Sequence, residues 1–182
     1  MADGLIYYQE GDFPVIDMNP EKDLRLLPVR ENQLCFGCSP LNPSGLHMRF
    51  HTDGTALFSW LEVPEHLIGW ENMVHGGVIT TILDEIMGWS AIYLLKRMTL
   101  TKSISIDFLK PVYSQTRLRA EGRLVEVKSE REALMEGLLF DSNDSLRSRA
   151  FGTFALFPPD AAKKMGMMDE LSVESVERLI SS

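Results

Sequence analysis

The run HGGVITTILDEIMG, residues 75 to 88, combines residue types that could act on a carbonyl. Gly76 and Gly77 stand where an apolar helical run begins. Backbone N–H groups at that point have no intrahelical acceptor, and without side chains in the way a ligand carbonyl can come close. A developing oxyanion would be stabilised there; equally, the pair could serve only as the turn that leads into the helix. Asp84 follows among Ile82, Leu83, Ile86 and Met87, and a carboxylate in such company needs a compensating partner. At about 100° per residue, Thr80, Thr81, Asp84 and Gly88 share one stripe, with Glu85 one step round. On a buried helix such a stripe lines a cleft or a subunit seam, or else Asp84 and Glu85 mark the one wet edge. The residues alone leave both open.

Cys35 and Cys38 form a CxxC whose chemical readings are a redox pair or half a metal site. A redox pair usually precedes a helix, whereas Ser39-Pro40-Leu41-Asn42-Pro43 continues as loop. A zinc site would need ligands such as His47 and His51 at unusual spacing. A packed structural loop is expected instead. His66, before Leu67-Ile68, reads as a rim residue rather than a catalyst.

The elements that hold these residues follow from periodicity. Leu46, Met48 and Phe50 alternate with polar residues, Asp53-Gly54 supplies a turn, and Ala56 to Val63 continues as a second strand. From Val78 to Leu95 the pattern is a helix apolar nearly all round, hence enclosed. Four strands are expected after it, at Leu100–Leu109, Thr116–Val127, Glu132–Asp141 and Leu146–Phe157, before Pro158-Pro159 ends the sheet. Ile104, Ile106 and Phe108 face one way and Ser103, Ser105 and Asp107 the other, as in a sheet covered on one side. The predicted class is α+β, an antiparallel sheet of five to six strands wrapped around one long central helix.

With 182 residues, 45% of them apolar, the chain is long enough for one well-filled core. Residues 1–34 hold seven acids against three bases, interrupted by Pro14, Pro20 and Pro28, so an acidic leader packed on the domain is expected, with at most a short helix near 20–27. The domain proper is placed at 35–158 and a C-terminal helical extension at 159–182. A net charge of −8 opposes binding to nucleic acid or an anionic membrane. Two cysteines give no disulfide framework, and Met1 to Tyr8 lack the pattern of a signal peptide, so a cytoplasmic protein is expected.

His75-Gly76-Gly77 followed by Asp84, then TKSISIDFLKPV (101–112) and a closing strand RAFGTFALFP, resembles the hotdog-fold acyl-CoA thioesterases of the PaaI and 4-hydroxybenzoyl-CoA thioesterase type. The preceding CFGCSPLNPSGLHMRF is similar to a segment found in one branch of them, and the likeness spans about 35–158. The resemblance implies a homodimer, usually paired again into a tetramer, with the active site at the seam between subunits. It implies Asp84 as general base or nucleophile and the Gly77 backbone N–H, or that of Gly76, as donor to the thioester oxygen. His75 would hold the loop or the substrate, and the hydroxyl facing the site from the partner subunit matches Thr101. Two positions depart from the pattern. Gly69 stands where relatives often carry an amide, and Gly88 where some carry a hydroxyl, leaving Asn72, Thr81 or Thr101 for that polar work.

Thioester hydrolysis passes through an oxyanion, which oriented N–H donors can stabilise by about 3 to 4 kcal/mol each. A carboxylate beside it can activate water, so neither metal nor cofactor is required, coenzyme A being part of the substrate. Residues 96–119 carry Lys96, Arg97, Lys102, Lys110, Arg117 and Arg119 against Asp107 alone, which suits either a phosphate-docking patch, Lys110 included, or solubilising strand ends. Trp60, Trp70 and Trp89 with Met73 and Met87 could floor an acyl pocket or be plain core. The expected function is hydrolysis of an acyl- or aryl-CoA. The rivals are a non-catalytic acyl-CoA binder or sensor and, below it, a hydratase or dehydratase, whose chemistry would want a cooperating His and acid.

Overall fold

Alternating apolar residues from Met98 onward build one long antiparallel sheet, and the apolar helix before it fills the concave face. The computed structural model describes residues 24–28, 33–164, 166, 173, 174 and 176–178. The strands are β1 (Arg25–Leu26), β2 (His51–Thr52), β3 (Leu57–Glu62), β4 (Ile68–Trp70), β5 (Met73–Val74), β6 (Met98–Phe108), β7 (Arg117–Ser129), β8 (Glu132–Asp141) and β9 (Leu146–Phe157). The helices are α1 (Gly76–Leu95) and α2 (Pro159–Lys164). Seven strands form one sheet in the order β1-β2-β3-β7-β8-β9-β6, while β4 and β5 make a separate ribbon ahead of α1. Every pairing is antiparallel. Five of the seven are the expected long strands, and β1 and β2 extend the sheet by two residues each.

α1 lies against β3, β6, β7, β8 and β9. It is long and apolar enough to cross a membrane, but Ile82, Leu83, Ile86, Met87 and Ala91 are fully buried in the core. A track of glycine and alanine lets the helix settle onto the sheet. Gly122 on β7 pairs with Gly137 on β8, and Gly137 with Ala150 on β9. A Cβ on Gly122 would overlap Ser90 Oγ and stand 2.6 Å from the Ile86 carbonyl oxygen. One on Gly137 would come within 3.1 Å of Met87 and 3.3 Å of Leu83.

Two expectations near the start are corrected. The strand expected over Leu46–Phe50 shrinks to His51–Thr52, because His47 takes φ 51° and the Leu46 and Met48 N–H groups donate to the Phe36 and Gly37 carbonyls. That segment is tied to the cysteine loop instead of the sheet. The leader expected over 1–34 lies outside the described residues except for 24–28 and 33–34. Where described, the short helix expected near 20–27 is replaced by β1, since the edge of β2 supplies backbone partners and Pro28 blocks helical continuation. Leu27 N–H donates to the Phe50 carbonyl, and the Leu27 side chain is buried. In the segment expected as a C-terminal helical extension, α2 is helical, as are residues 173, 174 and 176–178, and Val176 packs on Met98.

Candidate active site

Asp84 sits two turns into α1, half-buried, and its Oδ1 accepts a 2.7 Å hydrogen bond from Thr101 Oγ1. Both residues belong to the same chain. The expectation that Thr101 reaches the site from a partner is therefore corrected: β6 turns back along α1 directly after the helix ends, and this brings residue 101 under residue 84. A bulge re-aims the strand at that point. Thr101 pairs with Phe154 and Ser103 with Thr153, so Lys102 is the extra residue. Lys102 itself is salt-bridged to Glu132 on β8.

At the helix start His75 is the N-cap, and its Nδ1 accepts from the Gly77 N–H at 2.9 Å. The N–H expected to meet an oxyanion is thus held by the imidazole in this state. Gly76 faces the Phe108 ring, which a Cβ would meet at 3.7 Å. The departure at Gly69 has a steric reason: a Cβ there would stand 3.3 Å from His75 Cα and Cδ2. A larger residue would crowd the capping imidazole. At Gly88 a Cβ would meet the Phe154 ring at 3.6 Å, an ordinary contact. Of the two positions that depart from the expected pattern, Gly69 alone is sterically constrained.

The other site residues are dispersed. Thr81 Oγ1 donates to the Gly77 carbonyl at 3.0 Å and Thr80 Oγ1 to that of Gly76 at 2.9 Å, so both hydroxyls bond back into their own helix. Asn72 lies exposed in the β4–β5 turn, where its carbonyl accepts from Ser114 N–H. Lys110 donates to Ser145 Oγ at 2.8 Å beyond the end of β6. Three further cations of the basic run 96–119 do not stand free of partners. Lys102 pairs with Glu132, Arg119 with Glu121 and Asp144, and Lys96 lies 4.3 Å from the centroid of the Tyr93 ring. Nor do the tryptophans share a floor. Trp89 stacks on Phe50 in the core, Trp60 meets His51 edge-on, and Trp70 is 79% exposed.

Glu85 is the correction that periodicity could not anticipate. Instead of marking a wet edge, its side chain turns inward against the loop of Cys35 and Cys38, and Cys35 Sγ lies 3.2 Å from its Oε1. Burial pushes the Glu85 carboxyl up to about 8, with Cys35 acting in the same direction. Cys35 moves the other way, down to about 5, because the Cys38 thiol donates to it, aided by the Cys38 and Gly37 backbone N–H groups and by Glu85, against the effect of burial. Cys38 is pushed up by Cys35 and by burial. A signal existed in the spacing of CFGC: Gly37 is required because a Cβ there would overlap Glu85 Cγ.

With this geometry in place, comparison with known proteins decides the fold. Residues 71–131, which hold the β4–β5 turn, α1, β6 and all of β7, match the profile of the thioesterase superfamily. The chain has the hotdog fold. Among solved structures it is similar to AziG of S. sahachiroi, with 20% identity over 62% of this chain and 93% of that one, TM-score 0.57. It is also similar to E. coli PaaI, from the phenylacetic acid degradation operon, with 14% identity over 62% and 80%, TM-score 0.55. A hypothetical thioesterase of Streptococcus pneumoniae TIGR4, solved with coenzyme A, shares 19% identity over 57% and 82%, TM-score 0.53. No curated protein matches the sequence. In hotdog terms α1 is the central helix and β6 an outer strand of the wrapping sheet.

Proposed function

We propose that the protein hydrolyses an acyl- or aryl-CoA thioester, with Asp84 as general base or nucleophile. The observation that carries this reading is the 2.7 Å hydrogen bond from Thr101 to Asp84 on the face of the central helix. A carboxylate held by one hydroxyl keeps its second oxygen for water or for the thioester carbon, and Thr101 fixes its direction. In the water route Asp84 takes a proton as the oxygen of water bonds to the carbonyl carbon. The carbon–sulfur bond then breaks, and the proton leaves with the thiolate of coenzyme A. Structures of the pneumococcal thioesterase include forms with an aspartate and with a threonine replaced by alanine, the same two residue types as this pair.

A second copy completes the site in this proposal. Seven residues of helix at about 1.5 Å each separate Gly77 from Asp84 by roughly 10 Å along the axis, too far for both to serve one carbonyl. β6 is an edge strand of eleven residues, and Leu100 and Phe108 on it are 49% and 55% exposed. Such an edge calls for a cover. A homodimer, with the two β6 edges side by side and the helices antiparallel, brings the glycine end of one helix towards Asp84 of the other; pairing of dimers would then make a tetramer.

The Gly77 N–H bond to His75 favours the rival reading, a protein that binds acyl-CoA without cleaving it. Incubation with short-chain, long-chain and aryl CoA esters, read by free-thiol release, separates the two. Thiol release on at least one ester class is expected; saturable binding without thiol release on every class supports the binder and defeats the hydrolase.

A further inference from the structure

The loop and helix residues around Glu85 make a second site, on chemistry that thioester hydrolysis does not use. The Sγ atoms of Cys35 and Cys38 and a carboxylate oxygen of Glu85 all lie within 4.8 Å of one another. Two ligand atoms on a tetrahedral zinc ion, at about 2.3 Å for sulfur and 2.1 Å for oxygen, stand roughly 3.6 to 3.8 Å apart, so the three fit around one ion with small movements. Residues 36–38 form the turn between the two cysteines. Gln33 supports the loop from outside: its Oε1 accepts from Cys35 N–H at 2.9 Å, and its Nε2 is 3.7 Å from Cys38 Sγ.

Glu85 supplies the independent observation. Its Oε2 is buried and finds no hydrogen-bond donor, and no ion pair reaches the carboxylate among the described residues. An inward carboxylate in that position needs a cation or a proton. Gly37 is shaped for it, since any side chain there would displace Glu85 from the thiols.

We propose that Cys35, Cys38 and Glu85 bind a zinc-class divalent ion that ties the loop around residues 33–45 to α1 one residue beyond Asp84. Two sulfurs and one carboxylate suit zinc or cobalt and disfavour magnesium and calcium, which take oxygen ligands. The fourth corner is left to water or an exogenous ligand. Binding releases whatever protons the two thiols and the Glu85 carboxyl carry and creates no new covalent link between protein groups. The site is structural, set behind the catalytic stripe, and stands whether or not thioesters are hydrolysed.

The test uses the full chain, reduced, stripped with a chelator and titrated with Co2+. One cobalt per chain is expected, with thiolate-to-cobalt charge-transfer absorption and visible bands of tetrahedral intensity, both displaced by Zn2+. The double variant Cys35→Ser, Cys38→Ser should lose the charge-transfer absorption. Glu85→Gln, which spares the thiols should the double variant not fold, should keep that absorption and bind at least ~10-fold more weakly. Absence of charge transfer in the reduced wild type overturns the proposal, as does its survival in the double cysteine variant or unchanged affinity in Glu85→Gln. So does a Cys35–Cys38 disulfide whose reduced form takes up no metal.

Discussion

At the scale of single residues, the Thr101 hydroxyl and the Asp84 carboxylate form one unit. A hydrogen bond to a charged group contributes about 1.5 to 3 kcal/mol, so Thr101→Val should lower kcat by roughly 10- to 100-fold with little change in KM, whereas Thr101→Ser should retain most of it. Steady-state kinetics of the two variants check this, and equal losses in both would separate the hydroxyl from the chemistry. His51 gives a prediction of a different kind. Burial, and then the charge of Arg49, hold its imidazole below the usual value, and its buried Nδ1 has no hydrogen-bond partner among the described residues. Below about pH 6.5 the unfolded chain takes up the proton first, so stability is complete above that pH and is lost as the solution becomes more acid. Thermal melts along a pH series should show that decline, and His51→Phe, which keeps an aromatic ring beside Trp60, should flatten it.

At the scale of elements, the close seat of α1 on the sheet depends on the glycine track under it. Gly122→Ala would push a methyl group against Ser90 and the Ile86 carbonyl, and overpacking of this kind costs about 1 to 3 kcal/mol. A fall in Tm of roughly 2 to 10 °C in calorimetry is expected; an unchanged Tm would mean that helix and sheet are not held so closely. The central helix and the four strands after it were legible in the sequence, the helix as one long apolar run free of proline and the strands as period-2 patterns bounded by turn residues. The Leu46–Phe50 segment misled because its alternation is that of a strand, while its backbone partners lie in the cysteine loop. The pairing of Thr101 with Asp84 depends on a bulge at Lys102, which alternation alone does not reveal. Cys35 and Glu85 meet across 50 positions, and nothing local marks that contact except Gly37.

At the scale of the whole molecule, catalysis as proposed needs a second copy. Leu100 is 49% exposed on the open edge of β6, next to Thr101. If two β6 edges adjoin, Leu100→Asp should convert dimer to monomer in light-scattering chromatography and abolish thiol release with it. A monomeric wild type that is fully active would remove the partner from the mechanism. The most direct test of the central claim is the turnover of Asp84→Asn, a substitution that keeps the shape of the side chain and removes its charge. With whichever CoA ester the wild type cleaves fastest, kcat should fall about 100- to 10,000-fold while the melting temperature and CoA-ester binding remain near those of the wild type. Turnover within a few-fold of the wild type would contradict a role for the Asp84 carboxylate as base or nucleophile.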